Sequence, residues 1–487
     1  MNIYALPKAL TFGFGIVLFF VPNFVYAHAF GARYDLPLPL SFFIVASGIA
    51  VAVSFLVAFL FVRRGDVRAF SITFLIKKKV LNYLHRLLQL LGLVVLSIVL
   101  MTALVGDPSP TKNLATVTVW VWWWVGFTLF SALLVNLWPC LNPFCTLAAL
   151  WIKIVQYLLG GRSLKMRPLP VFAPYLAVLG LFTLSWIELV SNISETPRQV
   201  FWLIVIYLVT TCLCASRYGF EQWFKQADPL TRLFSMMGRL APFSLSHSSG
   251  LVIRFPGSGL SQAPKMEAKD GLAAVLFILM LISVVLFDGL SETPLWQWVK
   301  EFVAQSQALR PALLSMQSNG LDILMLVQTA GLILVFLLAC ITYYVIIFLI
   351  WLAGYREVSV LVIACQFAPS LLPIAIAYHL AHYVSYFMLA GQLIIPILSD
   401  PFALGWDLWG TQSQRINLSV INAENVWWIA VFALIAGHVI AVFVAHAEAI
   451  RLFTKHRIAV RSQIPMMVFM VLLTMLSLWV LSQPIIS

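Results

Sequence analysis

The chain has 487 residues, of which 62% are hydrophobic and only 10% are charged, with a formal net charge of +12. A soluble domain carries about a quarter charged residues, so this composition excludes a soluble globular enzyme. The apolar runs are long and continuous rather than alternating, which excludes a β-barrel and predicts an all-α, polytopic membrane helix bundle.

In chain order, "MNIYALPKALTFGFGIVLFFVPNFVYAHAF" opens with one lysine, an apolar stretch and then "VYA". Small residues before Ala27–His28 fit a signal peptide over 1–27, with an uncleaved first span as the alternative. Cleavage would leave His28 at the mature N-terminus, where its amine and imidazole could chelate copper. The plainer reading is that it is simply the first residue after a processing site.

Ten spans follow, near 39–62, 87–105, 116–138, 170–190, 200–216, 272–290, 321–353, 358–389, 426–446 and 464–483. Basic residues gather in the loops after alternate spans. They are Arg63, Arg64, Arg68 and Lys77–Lys79, then Arg162, Lys165 and Arg167, then Arg217 to Lys269, then Arg451, Lys455, Arg457 and Arg461. That is the cytoplasmic excess of a bacterial inner-membrane protein, and it argues against nucleic acid as a partner. It leaves Arg33, Lys112, Arg198, Lys300, Arg310 and Arg415 on the periplasmic side, with the mature N-terminus. The organisation is then one transmembrane domain over 28–483, with a basic cytoplasmic loop at 217–271 and a periplasmic amphipathic segment at 291–320. None of the six cysteines falls in an outer loop, so no disulfide framework is expected.

Three stretches carry Asx-Pro before an apolar run: Asn142-Pro143-Phe144, Asp228-Pro229-Leu230 and Asp400-Pro401-Phe402. A capping side chain followed by proline at the first helical position predicts a short interfacial helix at each. "SETPLWQWVKEF", after Asp288, predicts a fourth, amphipathic helix on the surface. Trp122-Trp123-Trp124 cover every face of their helix and pack both lipid and protein.

The stretch "AYHLAHYVSY" puts His379, His382, Tyr383 and Tyr386 at i, i+3, i+4 and i+7, one helix face inside a span. The next span carries His438 and His446. At 1.5 Å per residue, His379 lies roughly 15 Å and His438 roughly 18 Å below the outer ends of their helices. His446, about 12 Å deeper than His438, is read as an interfacial hydrogen-bonding residue beside Glu448 and Arg451. Three imidazoles at one depth predict a divalent transition metal held by His379, His382 and His438, zinc-like first, with copper or iron accepting the same ligands. The plainer alternative is that each histidine hydrogen-bonds across helices. Pro369 and Pro373 predict a kink just before this face. Glu188, Asp288, Asp400 and Asp407 sit at outer ends of spans, where one could add a ligand or accept a proton, and where capping and solvation are their ordinary roles.

Taken together, "AHAFGARYDLPLPL", "WPCLNPF", "LFDGLSETPLW", "YHLAHYVSY", "LSDPFALGWDLWGT" and "GHVIAVFVAHAEAI" resemble bacterial membrane proteins labelled fenitrothion hydrolases, over nearly the full chain. The resemblance implies hydrolysis of an organophosphate triester in an inner-membrane protein with a processed leader. It carries over no catalytic residue. Glu448 fills the place of an acid expected in that family two residues after the second histidine of the ninth span.

A metal on the three histidines would supply hydroxide to attack phosphorus and expel an aryloxide, with Tyr383 or Tyr386 orienting the phosphoryl oxygen. An apolar substrate would arrive from the membrane or periplasm. The alternatives are transition-metal handling, with His28 on a copper path, a haem or redox membrane subunit, and a structural subunit beside a partner in the bilayer.

Overall fold

The computed structural model describes residues 27–29, 32–34, 39–61, 71–246, 250–261 and 268–483. The expected leader lies outside the described residues except for Ala27, as do Arg63, Arg64, Arg68 and the side chain of His28. Among the described residues, nine helices are long and apolar enough to cross a membrane. The chain is a multi-pass membrane protein. Nine of the ten expected spans are among these helices, and the remaining one is Ala173–Leu189, with 17 residues. At 1.5 Å per residue that is about 26 Å, short of a hydrocarbon core of about 30 Å.

Local chemistry sets most helix starts. Asn142 accepts from the backbone N–H of Phe144 and Cys145 and opens Pro143–Leu158. Asp228 accepts from the Thr231 N–H at 2.8 Å and opens Pro229–Met237. Thr293 accepts from the Trp296 N–H and opens Pro294–Gln305. Each cap satisfies an N–H that the first helical turn leaves bare. The helix expected after Asp400-Pro401 does not form. Asp400 instead ends the helix Ile394–Ser399 and accepts from the N–H groups of Leu404 and Gly405 at 2.9 and 2.8 Å. Ala403 and Gly405 take φ of 55° and 79°, so the chain after Pro401 turns in the left-handed region instead of winding.

The described residues of 217–271 fold back onto the bundle. The strands Phe243–Ser246 and Gly250–Arg254 join Ser71–Phe74 in a three-stranded antiparallel sheet with 250–254 in the middle. These strands, and the pair Ala27–Ala29 with Ala32–Tyr34, are additions to the expected all-α fold. Arg254 locks the segment by donating Nε to the Ala241 carbonyl at 2.9 Å and Nη2 to the Gly238 carbonyl at 2.6 Å. Asp228 is fully buried and also accepts from the Tyr207 hydroxyl. Asp228→Ala is expected to lose about 1–2 kcal/mol for the cap and a further ~1–3 kcal/mol for the stranded hydroxyl. Thermal unfolding in detergent checks this, and the second loss should vanish in a Tyr207→Phe background.

Two irregular helices frame the centre. Residues Val117–Phe127 form a π-helix, flanked by α-helical Leu114–Thr116 and Thr128–Leu133. The wider turn carries the tryptophan row, with Trp124 buried and Trp122 facing out while donating to the Gly391 carbonyl at 3.1 Å. The expected proline kink is a 3-10 turn over Ala368–Leu371, between the helices Val360–Phe367 and Leu372–Ala390. Pro369 and Pro373 lack the N–H that an unbroken α-helix would use. Leu372–Ala390 is the central rod, buried at every residue from Leu372 to Tyr378. It packs on Ala268–Ser291, on the π-helix and, most extensively, on Ala423–Leu452.

Candidate functional site

A cluster of ionisable side chains inside this apolar bundle lies toward the C-terminal end of the central rod. Spacing of i, i+3 and i+4 puts His379, His382 and Tyr383 on one face, and that face meets Ala268–Ser291 near its C-terminal end. There Asp288 offers one oxygen to two donors: Oδ2 accepts from His382 Nε2 at 2.9 Å and from the Tyr383 hydroxyl at 2.6 Å. The rings support one another, with His382 and His379 centred 4.8 and 4.7 Å from Tyr383.

With a carboxylate accepting at Nε2, the neutral imidazole carries its proton there and leaves Nδ1 as the basic nitrogen. His382 keeps 23% of its side chain exposed and Asp288 16%, so the pair is mostly buried yet reachable. Gly289 is part of that access. A methyl group there would sit 3.8 Å from His382 Nδ1 and 3.2 Å from Val480.

Glu188, on Ala173–Leu189, lies within electrostatic range of Asp288, with Trp124 of the π-helix beside it. Its Oε2 is buried with no hydrogen-bond partner. Tyr386 is half-exposed on the rim, with Glu188 in range. Glu292, just past the helix, faces the same pair from outside the membrane-spanning segment. Burial and the nearby Asp288 carboxylate raise its carboxyl above the ordinary range.

Beneath the pair is a cavity of about 30 Å³ walled by Trp124, Thr128, Ser185, His379 and Tyr383 among apolar residues. That is room for about one water. Thr128 Oγ1, Ser185 Oγ and His379 Nε2 around it are buried without a partner. Thr183 on the same helix as Ser185, by contrast, donates back to the Leu179 carbonyl at 2.9 Å. An unsatisfied buried polar atom costs about 1–3 kcal/mol, so three on neighbouring residues concentrate that cost here.

The structure distributes the histidines differently from the depth argument. His382 pairs with Asp288, and His379 borders the cavity beside the Val125 backbone. His438 is fully buried, donates Nδ1–H to the Leu434 carbonyl at 2.8 Å and leaves Nε2 without a partner. Among the described residues, no hydrogen bond or ring contact joins it to His379 or His382. No three His, Cys, Asp or Glu side chains there are arranged to hold a metal ion. The three histidines are therefore not gathered into one metal site among the described residues, while the backbone bond at His438 Nδ1 leaves its Nε2 lone pair free. His446 is fully buried, with Nδ1 2.8 Å from Gln463 Oε1 and Phe59 against its ring.

Of the acids singled out by position, Asp288 and Glu188 belong to the cluster and the other two do not. Asp400 shapes its turn, and Asp407 accepts from the Ser399 hydroxyl at 2.7 Å and the Gln412 N–H at 3.0 Å. Those bonds hold the Asp407 carboxyl below its usual range. Thr128, Ser185 and Trp124 were not foreseen; the face shared by Ser185 and Glu188 in "SWIE" is the one signal that pointed to them. Comparison of the chain with protein-family models, curated proteins and solved structures finds no match.

Proposed function

We propose that this chain is a membrane-embedded hydrolase in which His382 acts as general base and Asp288 orients it. The single observation behind this reading is the 2.9 Å bond from His382 Nε2 to a mostly buried carboxylate, with Nδ1 left accessible. The substrate class follows the sequence resemblance: an uncharged organophosphate triester, soluble enough in lipid to reach a site among apolar helices. Basic loops at the other ends of the spans favour the His382 end as the outer, periplasmic side of an inner membrane.

In the proposed reaction a water oxygen attacks phosphorus while its proton passes to His382 Nδ1. The P–O bond to the aryl group breaks, and the aryloxide leaves with the electron pair. The Asp288 carboxylate stabilises the imidazolium that forms, and the Tyr383 hydroxyl fixes that carboxylate from the other side. Tyr386, with 38% exposure, is the free phenol able to donate to the phosphoryl oxygen. No step is routed through a metal, since the side chains do not fit the expected set.

The test is triester hydrolysis by protein in nanodiscs. His382→Ala should lower turnover by at least about 10²-fold, and His438→Ala should leave it near wild type. Folded wild-type protein that turns over no triester would sink the reading, as would equal losses in both variants.

A second reading has its own observation. The polar groups continue inward past Tyr383 to His379, Thr128 and Ser185, a sequence that suits proton passage along a transporter's core. Proteoliposomes loaded with a pH dye distinguish it, since His379→Ala would then slow proton flux while sparing hydrolysis.

A further inference from the structure

The span ends opposite the Asp288 cluster carry a group of arginines that the proposed chemistry does not use. Arg232, on Pro229–Met237, reaches the first turns of two spans. It donates Nη1 to the Pro174 carbonyl at 3.5 Å and to the Gln226 carbonyl at 3.1 Å, and Nη2 to the Asp270 carbonyl at 3.4 Å. Two of these contacts are long beside an ordinary N–H···O distance of about 2.9 Å. Arg239 follows just past the same helix and lies within electrostatic range of Arg232. Arg254 is committed to the Gly238 and Ala241 carbonyls that flank Arg239.

Positive charge here outnumbers negative. Among the described residues, Asp270 is the carboxylate in range of Arg232, and none is in range of Arg239. Asp228 is already engaged by the Tyr207 hydroxyl and the Thr231 N–H. No described oxygen accepts from the Arg239 guanidinium. Its residue is only partly buried, and its nitrogens are not among the polar atoms sealed from solvent. Arginine keeps its charge under such desolvation, so Arg239 is a reachable cation without a counter-ion.

The neighbours of these anchor points indicate what kind of anion fits. Val171 and Phe172, just before Pro174, are 70% and 61% exposed, Leu272 after Asp270 is 39% exposed, and Phe255 next to Arg254 is 67% exposed. A free phosphate ion gains nothing from an apolar rim. A phospholipid lays its acyl chains against that rim and brings a phosphate to the level of the span ends.

We propose that Arg232 and Arg239 bind the phosphodiester of an anionic phospholipid, with its acyl chains beside Phe172 and Leu272. The planar guanidinium fork matches phosphate oxygens, and basic pockets between spans are a recurring site for such headgroups. The surplus of guanidinium over carboxylate selects a headgroup of net negative charge over a zwitterionic one. The site does not depend on hydrolysis and holds whether or not the Asp288 cluster turns over a triester.

The probe is phosphatidylglycerol. Full-length protein equilibrated in mixed phosphatidylcholine and phosphatidylglycerol nanodiscs is transferred to detergent, and the lipids that stay bound are counted by native mass spectrometry. About one phosphatidylglycerol per chain should be retained in preference to phosphatidylcholine. Arg239→Gln breaks no hydrogen bond among the described residues, so it should unfold at the wild-type temperature while retaining the lipid about tenfold less well, the equivalent of one hydrogen bond to a charged group. Arg162→Gln removes an exposed charge from the loop before Ala173–Leu189 and should leave retention unchanged. Equal losses in the two variants would reduce the site to diffuse attraction and overturn the proposal. Undiminished retention in Arg239→Gln would do the same. So would release of the lipid by inorganic phosphate at matched ionic strength, which would assign the arginines to a free anion.

Discussion

Replacing Asp288 with alanine is expected to lower triester turnover on the order of 10⁴-fold, as removing the orienting carboxylate of a catalytic histidine does elsewhere. One oxygen of Asp288 holds two side chains, so its removal frees the His382 ring to change tautomer and leaves the Tyr383 hydroxyl without its acceptor. Each stranded donor costs about 1–3 kcal/mol, so alanine alone would mix a folding defect with a chemical one. Asp288→Asn separates them. It keeps the volume and an oxygen that can take both donors in place of Oδ2, and loses the charge that stabilises the imidazolium. The asparagine variant should fold with near wild-type thermal stability while turnover stays within about tenfold of the alanine variant, with kcat falling and KM little changed. Wild-type turnover in a folded Asp288→Asn protein would remove His382 from the chemistry.

How much of this was legible depends on which quantity each inference used. Length and hydropathy are local, so the spans could be read directly, including the proline break before Leu372. Caps at Asn142, Asp228 and Thr293 were legible because one side chain and the next three residues decide them. Asp400-Pro401 carries the same signature, yet "ALG" lets the chain turn back, and the two carboxylate oxygens close that turn. The shared face of His379, His382 and Tyr383 was legible from helical spacing. Asp288 stood among the candidate acids, but no local pattern favours it over Asp400 or Asp407, since the choice is made by helices meeting from distant parts of the chain. The π-helix was illegible for a related reason. Its extra residue per turn brings Trp124 toward Glu188 and Trp123 toward Phe234, and those partners lie far away in sequence. Depth could be counted for His438 at 1.5 Å per residue; azimuth could not. That angle is set by packing on several neighbours, closest to the central rod at Gly437.

Gly437 therefore carries the second large prediction. A methyl group on it would fall 2.4 Å from the Ala377 Cβ and 2.7 Å from the Pro373 carbonyl oxygen, both far inside contact distance. The helices Ala423–Leu452 and Leu372–Ala390 approach this closely because small residues face each other there, the usual device for bringing membrane helices together. Neither side can yield cheaply, since one obstacle is backbone and the other is a methyl on a rod buried on all sides. Gly437→Ala should destabilise the protein by about 1–3 kcal/mol through overpacking, and Gly437→Leu should prevent recovery of folded protein. Ala377→Gly removes the nearer obstacle but not the Pro373 oxygen, so the double variant Gly437→Ala/Ala377→Gly should regain part of the loss. Thermal unfolding in detergent, run as a double-mutant cycle, gives that coupling directly. The same step rotates or displaces His438 and should leave the Asp288–His382 bond in place, because that bond belongs to a different pair of helices. A folded Gly437→Ala protein should accordingly keep its hydrolytic rate. Strictly additive losses in the cycle would mean that the two helices do not meet at Gly437 and Ala377.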